Sequence, residues 1–183
     1  GDLNFARNPT FGDFEHIVLT PSSLEEAYYF SGLSLNLADT YQTIVILLLD
    51  KQLSELSWTI WKRLSSGLNR GEILENPPAD YKRYALTPSG ISPRVRVGTP
   101  SGDFIASSYE HDEFWATTEE SEIKKAMTEK RWKKLENFFQ KEWISWFEVF
   151  NSNAEKMLIT FSATTYTAKE FIKNNPEYGL VVI

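Results

Sequence analysis

The stretch IVLTPSSLEEAYYFSGLSLNLADTYQTIVILLL, residues 17–49, contains the clearest indication of fold in the chain. It opens with a short apolar run, residues 17–19, which is typical of a strand. Ser22 and Ser23 then stand three residues before Glu25 and Glu26, the spacing of a capping box at the start of a helix. The sequence therefore predicts a short strand followed directly by a helix.

The rest of this stretch completes a βαβ unit. Apolar side chains recur at helical spacing over residues 24–41, which predicts a helix largely covered by protein. Residues 43–49 are continuously apolar and rich in Ile and Val, which suits an inner parallel strand covered on both faces. Strand, helix and strand in this order predict a parallel α/β unit at the start of the chain.

Glycine and proline interrupt the chain after this unit. They recur between residues 58 and 109 too often for long helices, and leave room for short strands at 94–97 and 104–106. We predict an extended arm with a β-hairpin over residues 58–116.

A charged helical stretch follows the arm. Residues 117–150 are predicted to form a connecting helical segment whose many Lys and Arg residues are offset by Glu residues of the same helix. The favoured interpretation is a solvated helix with internal ion pairs, rather than a surface for RNA, membrane or coenzyme. Its dense aromatic cluster, between Trp132 and Phe150, is expected in a core or a subunit interface.

Residues 151–183 repeat the βαβ pattern. Strands are predicted at 157–161 and 179–183, with a short helix at 167–174 between them. The final strand and the first unit both lack neighbouring strands in this sequence, so we expect the chain to be an internal segment of a longer protein. Its open edges predict that the isolated chain self-associates or needs a partner.

Composition limits the possible functions. The formal net charge of −6 argues against a general nucleic-acid binder, which needs many Lys and Arg for phosphates. No apolar run approaches a membrane span and the first residues lack the pattern of a signal peptide, so a cytoplasmic location is expected. The chain contains no cysteine, which excludes an iron–sulfur cluster ligated by its own thiolates.

Three elements between residues 84 and 113 carry a family resemblance. The stretch YALTPSGISPRVRVGTPSGDFIASSYEHDE contains GISPR, a GTP-Gly loop and EHDE in that order. It resembles the α subunit of 2-oxoacid:ferredoxin oxidoreductases, and the βαβ stretch upstream resembles the same family. The resemblance is specific because the glycine, proline and charged positions match together.

The resemblance implies a division of the chain and a role within a larger enzyme. Residues 1–57 would form the C-terminal part of a thiamine-type, pyrimidine-binding-like α/β domain, and 151–183 the start of a second, transketolase C-terminal-like domain. The assembled enzyme would decarboxylate a 2-oxoacid on thiamine diphosphate with Mg²⁺, reduce ferredoxin through an iron–sulfur cluster and deliver the acyl group to coenzyme A. This chain would supply scaffold and contacts to the β subunit. None of the cofactors is expected to be bound by this chain alone, and the isolated chain is expected to be inactive.

His111 is the candidate catalytic residue in the EHDE element. Flanked by Glu110, Asp112 and Glu113, it suits a proton shuttle or a divalent-ion ligand. The alternative, which the spacing favours, is a loop anchored by charge-assisted hydrogen bonds. The sequence shows no cluster with metal-ligand spacing, so no metal site is predicted.

Arg94 and Arg96 are the candidate anion-binding residues. Two residues apart on a predicted strand, they would point to the same side and grip a carboxylate or phosphate. Ion pairing with nearby acidic residues is the favoured alternative.

The rival function is a non-catalytic interaction protein or a degenerate paralogue. The chain departs from the family pattern by bulky or polar residues around EHDE and by His16 at an expected basic position. A stand-alone small-molecule enzyme has no nucleophile and base motif to support it.

Overall fold

The computed structural model describes residues 1–9, 16–61, 67–141 and 147–183. The predicted α/β class is confirmed, since helices alternate with parallel strand pairs at both ends of the chain. Over these residues the elements are α1 (Asp2–Arg7), β1 (Ile17–Leu19), α2 (Leu24–Tyr41), β2 (Val45–Leu47), α3 (Lys51–Glu55), α4 (Ser121–Lys141), β3 (Glu148–Phe150), β4 (Lys156–Thr160), α5 (Thr164–Asn174) and β5 (Tyr178–Val182). Within the described ranges, no helix is both long enough and apolar enough to cross a bilayer.

The first βαβ unit forms as predicted. Strands β1 and β2 are parallel, with Ile17 opposite Val45. The Ser23 hydroxyl accepts a hydrogen bond from the Glu26 amide at 3.0 Å, while the Glu26 carboxylate accepts one from the Ser22 amide at 2.7 Å. These reciprocal bonds satisfy amides that the first turn of a helix leaves without partners, and they set the start of α2.

Strand β2 is less covered than the sequence predicted. Val45–Leu47 are only partly buried, and Ile44 and Leu49 on either side are exposed. The reason is that β1 and β2 form a two-stranded sheet within the described residues, so β2 has one strand neighbour there.

The core of the first unit is completed by α4, which comes about 80 residues later in the chain. Phe138 is 1% exposed and its ring meets Tyr41 edge to face, with centroids 5.2 Å apart. Leu135 lies in the same cluster with Ile17 and Leu19. The long helix therefore packs against the β1–α2–β2 unit through its apolar face.

The second α/β unit contains one more strand than predicted. Strands β4 and β5 are parallel around α5, and β3 pairs antiparallel with β5 to give the order β3-β5-β4. Leu180 of β5 is fully buried at the centre of this sheet. The prediction of helix up to residue 150 was wrong for Glu148–Phe150, because a three-residue edge strand leaves little periodic pattern. Predicted helix at 142–146 lies outside the described residues.

The predicted β-hairpin of the arm was wrong for the described residues. Segments 94–97 and 104–106 form no ladder, and Arg94 instead makes an isolated parallel bridge with Ile73. Two successive turns replace the hairpin loop: the Thr99 amide bonds the Arg96 carbonyl at 3.1 Å, and the Gly102 amide bonds the Thr99 carbonyl at 3.0 Å. Turns that follow one another this closely leave no paired strands.

Polar contacts join the two α/β units. One Asp50 carboxylate oxygen accepts from the Leu53 amide at 2.7 Å and the other accepts from the Ala163 amide at 2.9 Å. Burial acts to raise the pKa of Asp50, but these backbone bonds outweigh it and the pKa is lowered. The Thr20 hydroxyl adds a bond to the Ile183 carbonyl at 2.9 Å.

Replacing Phe138 with alanine tests the docking of α4. We expect a loss of about 3–5 kcal/mol in the free energy of unfolding, because the substitution leaves a cavity against Tyr41. Urea denaturation of the purified protein measures it. The neighbouring Phe139 is 57% exposed and serves as the matched control, with a loss of less than half that expected for F139A. Equal losses in the two variants would contradict the packing described here.

Candidate functional site

His111 is buried in the loop between the arm and α4. The residue is 8% exposed, and its ring stacks on Tyr84 with centroids 4.9 Å apart and planes 23° apart. Its Nε2 lies 3.1 Å from the Ser107 hydroxyl, and its backbone bridges to Thr117. The side chain is thus held on both a face and an edge by protein groups.

The three carboxylates around His111 each bind groups of the same chain. Glu110 forms two bonds to the Arg131 guanidinium, at 2.9 and 3.2 Å. Asp112 accepts from the Phe114 and Ala116 amides, each at 2.9 Å, an arrangement that closes a tight turn.

Glu113 ties the acidic loop, residues 110–113, back to the arm. It accepts from the Leu86 amide at 2.9 Å and from the Lys82 ammonium at 3.1 Å. The Leu86 bond is the main reason that the pKa of Glu113 is lowered, against an opposing effect of burial. The loop is anchored through all three acidic side chains, which is the arrangement that the favoured interpretation describes. Within the described ranges, no group of three or more His, Cys, Asp or Glu is placed to hold a metal ion.

The GISPR element packs directly on α4. Gly90 has φ +74°, and a methyl group at its Cα would overlap the backbone carbonyl of Lys130. Asn137 of α4 donates to the Ser89 carbonyl at 2.8 Å beside it. Glycine is needed here both for the left-handed backbone and for the close approach.

Arg94 and Arg96 bind different carboxylates in the structure. Arg94 donates to Asp39 at 2.8 Å, and Asp39 also pairs with Arg70. Arg96 lies 3.9 Å from Glu75, and both of these side chains are exposed. Both arginines border an open cleft. Arg94 also lines a second pocket, between α2, the arm and α4, and Arg96 does not.

A basic pocket of about 380 Å³ lies where α2, the arm and α4 meet. We define it by its lining residues Ala38, Gln42, Thr43, Ile44, Arg83, Arg94, Arg131 and Lys134. Sequence reasoning missed this pocket because its four cations come from three separated segments. The only local signal is the spacing of Arg131 and Lys134, which puts them on one helix face.

Gln42 organises the pocket from the C-terminus of α2. Its backbone is left-handed, its side-chain amide donates to the Ser92 carbonyl at 2.6 Å, and its Oε1 accepts from Arg83 at 3.1 Å. Its backbone carbonyl accepts from the Lys134 ammonium at 2.7 Å. A cation at a helix C-terminus is favourable because the last carbonyls lack partners.

Two lysines of α4, Lys130, which is buried, and Lys134, which is half-buried, have lowered pKa values beside this pocket. Burial and, after it, the nearby Arg83 and Arg131 guanidinium groups together lower the pKa of Lys134 to about 8. Burial lowers the pKa of Lys130 to about 7, with added repulsion from Lys134, Arg83 and Arg131. Lys130 donates to the Tyr84 carbonyl at 2.7 Å. The prediction that these residues lie on a solvated helix face was therefore wrong for Lys130 and Lys134.

Comparison with known proteins identifies the class of this chain. The family model described as pyruvate flavodoxin/ferredoxin oxidoreductase, thiamine diP-bdg, matches residues 1–130. This range includes the first βαβ unit, the arm, the acidic loop and the first part of α4. The chain belongs to this thiamine-diphosphate-binding oxidoreductase family, as the resemblance indicated.

The similar curated proteins are α subunits of 2-oxoacid:ferredoxin oxidoreductases. Subunit α of 2-oxoacid:ferredoxin oxidoreductase 2 of Aeropyrum pernix is 38% identical over 128 residues, covering 68% of this chain and 20% of the relative. Subunit α of oxidoreductase 1 of the same organism is 28% identical over 187 residues, covering 98% of this chain and 28% of the relative. The chain thus spans 20–28% of the length of these relatives.

A solved structure shares the fold over the whole chain. The 2-oxoglutarate:ferredoxin oxidoreductase from Magnetococcus marinus, solved with 2-oxoglutarate, coenzyme A and succinyl-CoA bound, superposes with a TM-score of 0.80 at 24% identity. The match covers 100% of this chain and 33% of that chain. It confirms the α/β architecture.

Replacing Lys130 with methionine tests the buried charge. Burial lowers the pKa of Lys130 from 10.5, its ordinary value in an unfolded chain, to about 7 in the folded protein. Between pH 7 and pH 10.5, Lys130 is mostly protonated in the unfolded chain and mostly deprotonated in the folded protein. The unfolded chain therefore binds more protons, and the contribution of Lys130 to the free energy of unfolding increases as the pH rises. We expect the unfolding free energy of the wild type minus that of K130M to increase between about pH 7 and pH 9.5, as measured by urea denaturation.

The control is Lys125→Met, which changes an exposed lysine of the same helix. Its difference from the wild type should stay nearly constant with pH. A constant difference for K130M as well would show that Lys130 titrates as a solvated lysine.

Proposed function

We propose that this chain is a segment of the α subunit of a 2-oxoacid:ferredoxin oxidoreductase. The enzyme would decarboxylate a 2-oxoacid with thiamine diphosphate, reduce ferredoxin and form an acyl-CoA. The observation that supports this most is the family match over residues 1–130, which includes the GISPR, GTP-Gly and EHDE elements. Two of these elements, GISPR and EHDE, contact α4.

Within that enzyme, the segment acts mainly as scaffold and subunit interface. The acidic loop is bound internally, which suits a structural element. Large apolar side chains stand exposed on the arm, with Trp58 71%, Trp61 93% and Val97 fully accessible. Side chains of this kind are enriched at protein interfaces, and the β subunit is the partner that we propose covers them.

The cofactors would be held by the assembled enzyme. Iron–sulfur clusters need thiolate ligands and this chain has no cysteine, so the cluster belongs to another part of the complex. Thiamine diphosphate and Mg²⁺ would likewise be held by the assembled enzyme rather than by this chain alone. Coenzyme A and ferredoxin would be engaged through the complex, in the cytoplasm.

The direct test is activity of the native protein that contains this chain, co-expressed with its β subunit. We expect reduction of ferredoxin that requires both a 2-oxoacid and coenzyme A. A stable complex with the β subunit that lacks this activity, with its cofactors present, would favour the non-catalytic interaction protein instead.

Replacing His111 with glutamine tests, in the same assay, whether this residue is catalytic. We expect kcat to fall by less than about threefold, because the ring is occupied by Tyr84 and Ser107 rather than open to a substrate. A general acid or base contributes about 10²–10⁴-fold, so its loss would be unmistakable. His16→Gln is the control, since His16 lies outside the family elements and its Nε2 is 2.8 Å from the Ala6 carbonyl. A hundredfold loss in H111Q at unchanged stability would make His111 catalytic.

A further inference from the structure

The basic pocket contains more positive than negative charge. Four cations line it, and two carboxylates neutralise part of that charge: Asp39 beside Arg94 and Glu110 beside Arg131. Asp39 is shared with Arg70 as well. In the described part of the chain, the other two cations, Arg83 and Lys134, bind oxygen atoms of Gln42 rather than carboxylates. The pocket therefore has an excess of about two positive charges.

These two cations are held in fixed positions. The Arg83 guanidinium bonds the Gln42 side chain and lies 5.3 Å from the ring centroids of both Tyr84 and Phe104. Lys134 is fixed by the Gln42 carbonyl. Guanidinium groups have five N–H donors and ammonium groups three, so both side chains keep donors for a ligand. Donors that are positioned before binding lose little conformational entropy when a ligand binds.

Holding like charges together in a partly buried place is unfavourable without a counter-charge. Burial lowers the pKa of Lys134 most, and the neighbouring arginines lower it as well, which is the direction expected for cations that repel one another. A bound anion reverses this effect. The size of the pocket, about 380 Å³, lies at the lower end of the range of about 300–1,000 Å³ for small-molecule sites.

We propose that the basic pocket binds a phosphate group, with Arg83 and Lys134 as its direct donors. A phosphate dianion matches the excess charge, and Arg83 offers the fork that binds phosphate oxygens in pairs. Arg94 and Arg131 lie at the wall of the pocket, and each is paired with a carboxylate. The ligand is either inorganic phosphate or the phosphate of a phosphorylated small molecule. This inference goes beyond the proposed oxidoreductase function and does not depend on it, because binding is measured without turnover.

Isothermal titration calorimetry of the full native protein tests the proposal, with inorganic phosphate and AMP as probes at low ionic strength. We expect the phosphate affinity to fall by about ten- to hundredfold in Arg83→Gln and in Lys134→Gln, the loss for one charge-assisted hydrogen bond. Lys125→Gln removes the same charge from an exposed position on α4 and should change the affinity by less than about twofold. Lys134→Arg keeps the charge and should restore most of the binding, which separates loss of a donor from loss of folding.

The two probes distinguish the source of the phosphate group. Tighter binding of AMP than of phosphate, weakened by the same variants, supports a phosphorylated small molecule. Binding of phosphate alone supports the free anion. The proposal is overturned if neither probe binds the wild-type protein, or if K125Q weakens binding as much as R83Q and K134Q do.

Discussion

The packing of α4 against the first βαβ unit is the interaction on which the rest of the structure depends. Phe138 and Leu135 close a core formed by residues of β1, β2 and α2. Since α4 lies far from this unit in sequence, its docking fixes a long loop, and the arm and the acidic loop both lie within that loop. Apolar burial of this kind is not directional, so the exact position of the helix needs further contacts.

Polar contacts along the sides of α4 fix the position of the helix. Arg131 binds Glu110 of the acidic loop, Lys130 binds a carbonyl of the arm, and Lys134 binds the C-terminus of α2. Each contact pairs a cation of one helix with an oxygen of a different segment. Burying lysines costs free energy unless they are hydrogen-bonded, and here each ammonium group has a carbonyl partner. Helix α4 therefore closes the apolar core and also positions the three cations beside it.

The sequence predicted the local parts of this fold and missed the non-local ones. The bounds of α2 follow from a capping box and a helical period, which are both properties of adjacent residues. The arm was predicted to form a hairpin because short apolar runs alternate with turn residues there. The structure has successive turns and a bridge to Ile73, a partner that no local pattern indicates. The basic pocket was missed for the same reason, since Arg83 and Lys134 meet only after α4 has docked.

Two of the three family elements, GISPR and EHDE, share a structural role. Gly90 allows the GISPR segment to touch the backbone of α4, and Glu110 of EHDE binds Arg131 on the same helix. Residues of these two elements therefore hold the arm and the acidic loop against one helix. This explains why a strong family match yields no catalytic constellation within the described residues. Arg83 and Lys134 are different, because within the described ranges neither pairs with a carboxylate, and their charges destabilise the fold unless a ligand offsets them. For that reason the basic pocket, rather than the acidic loop, is the part of this segment that points to a function beyond scaffolding.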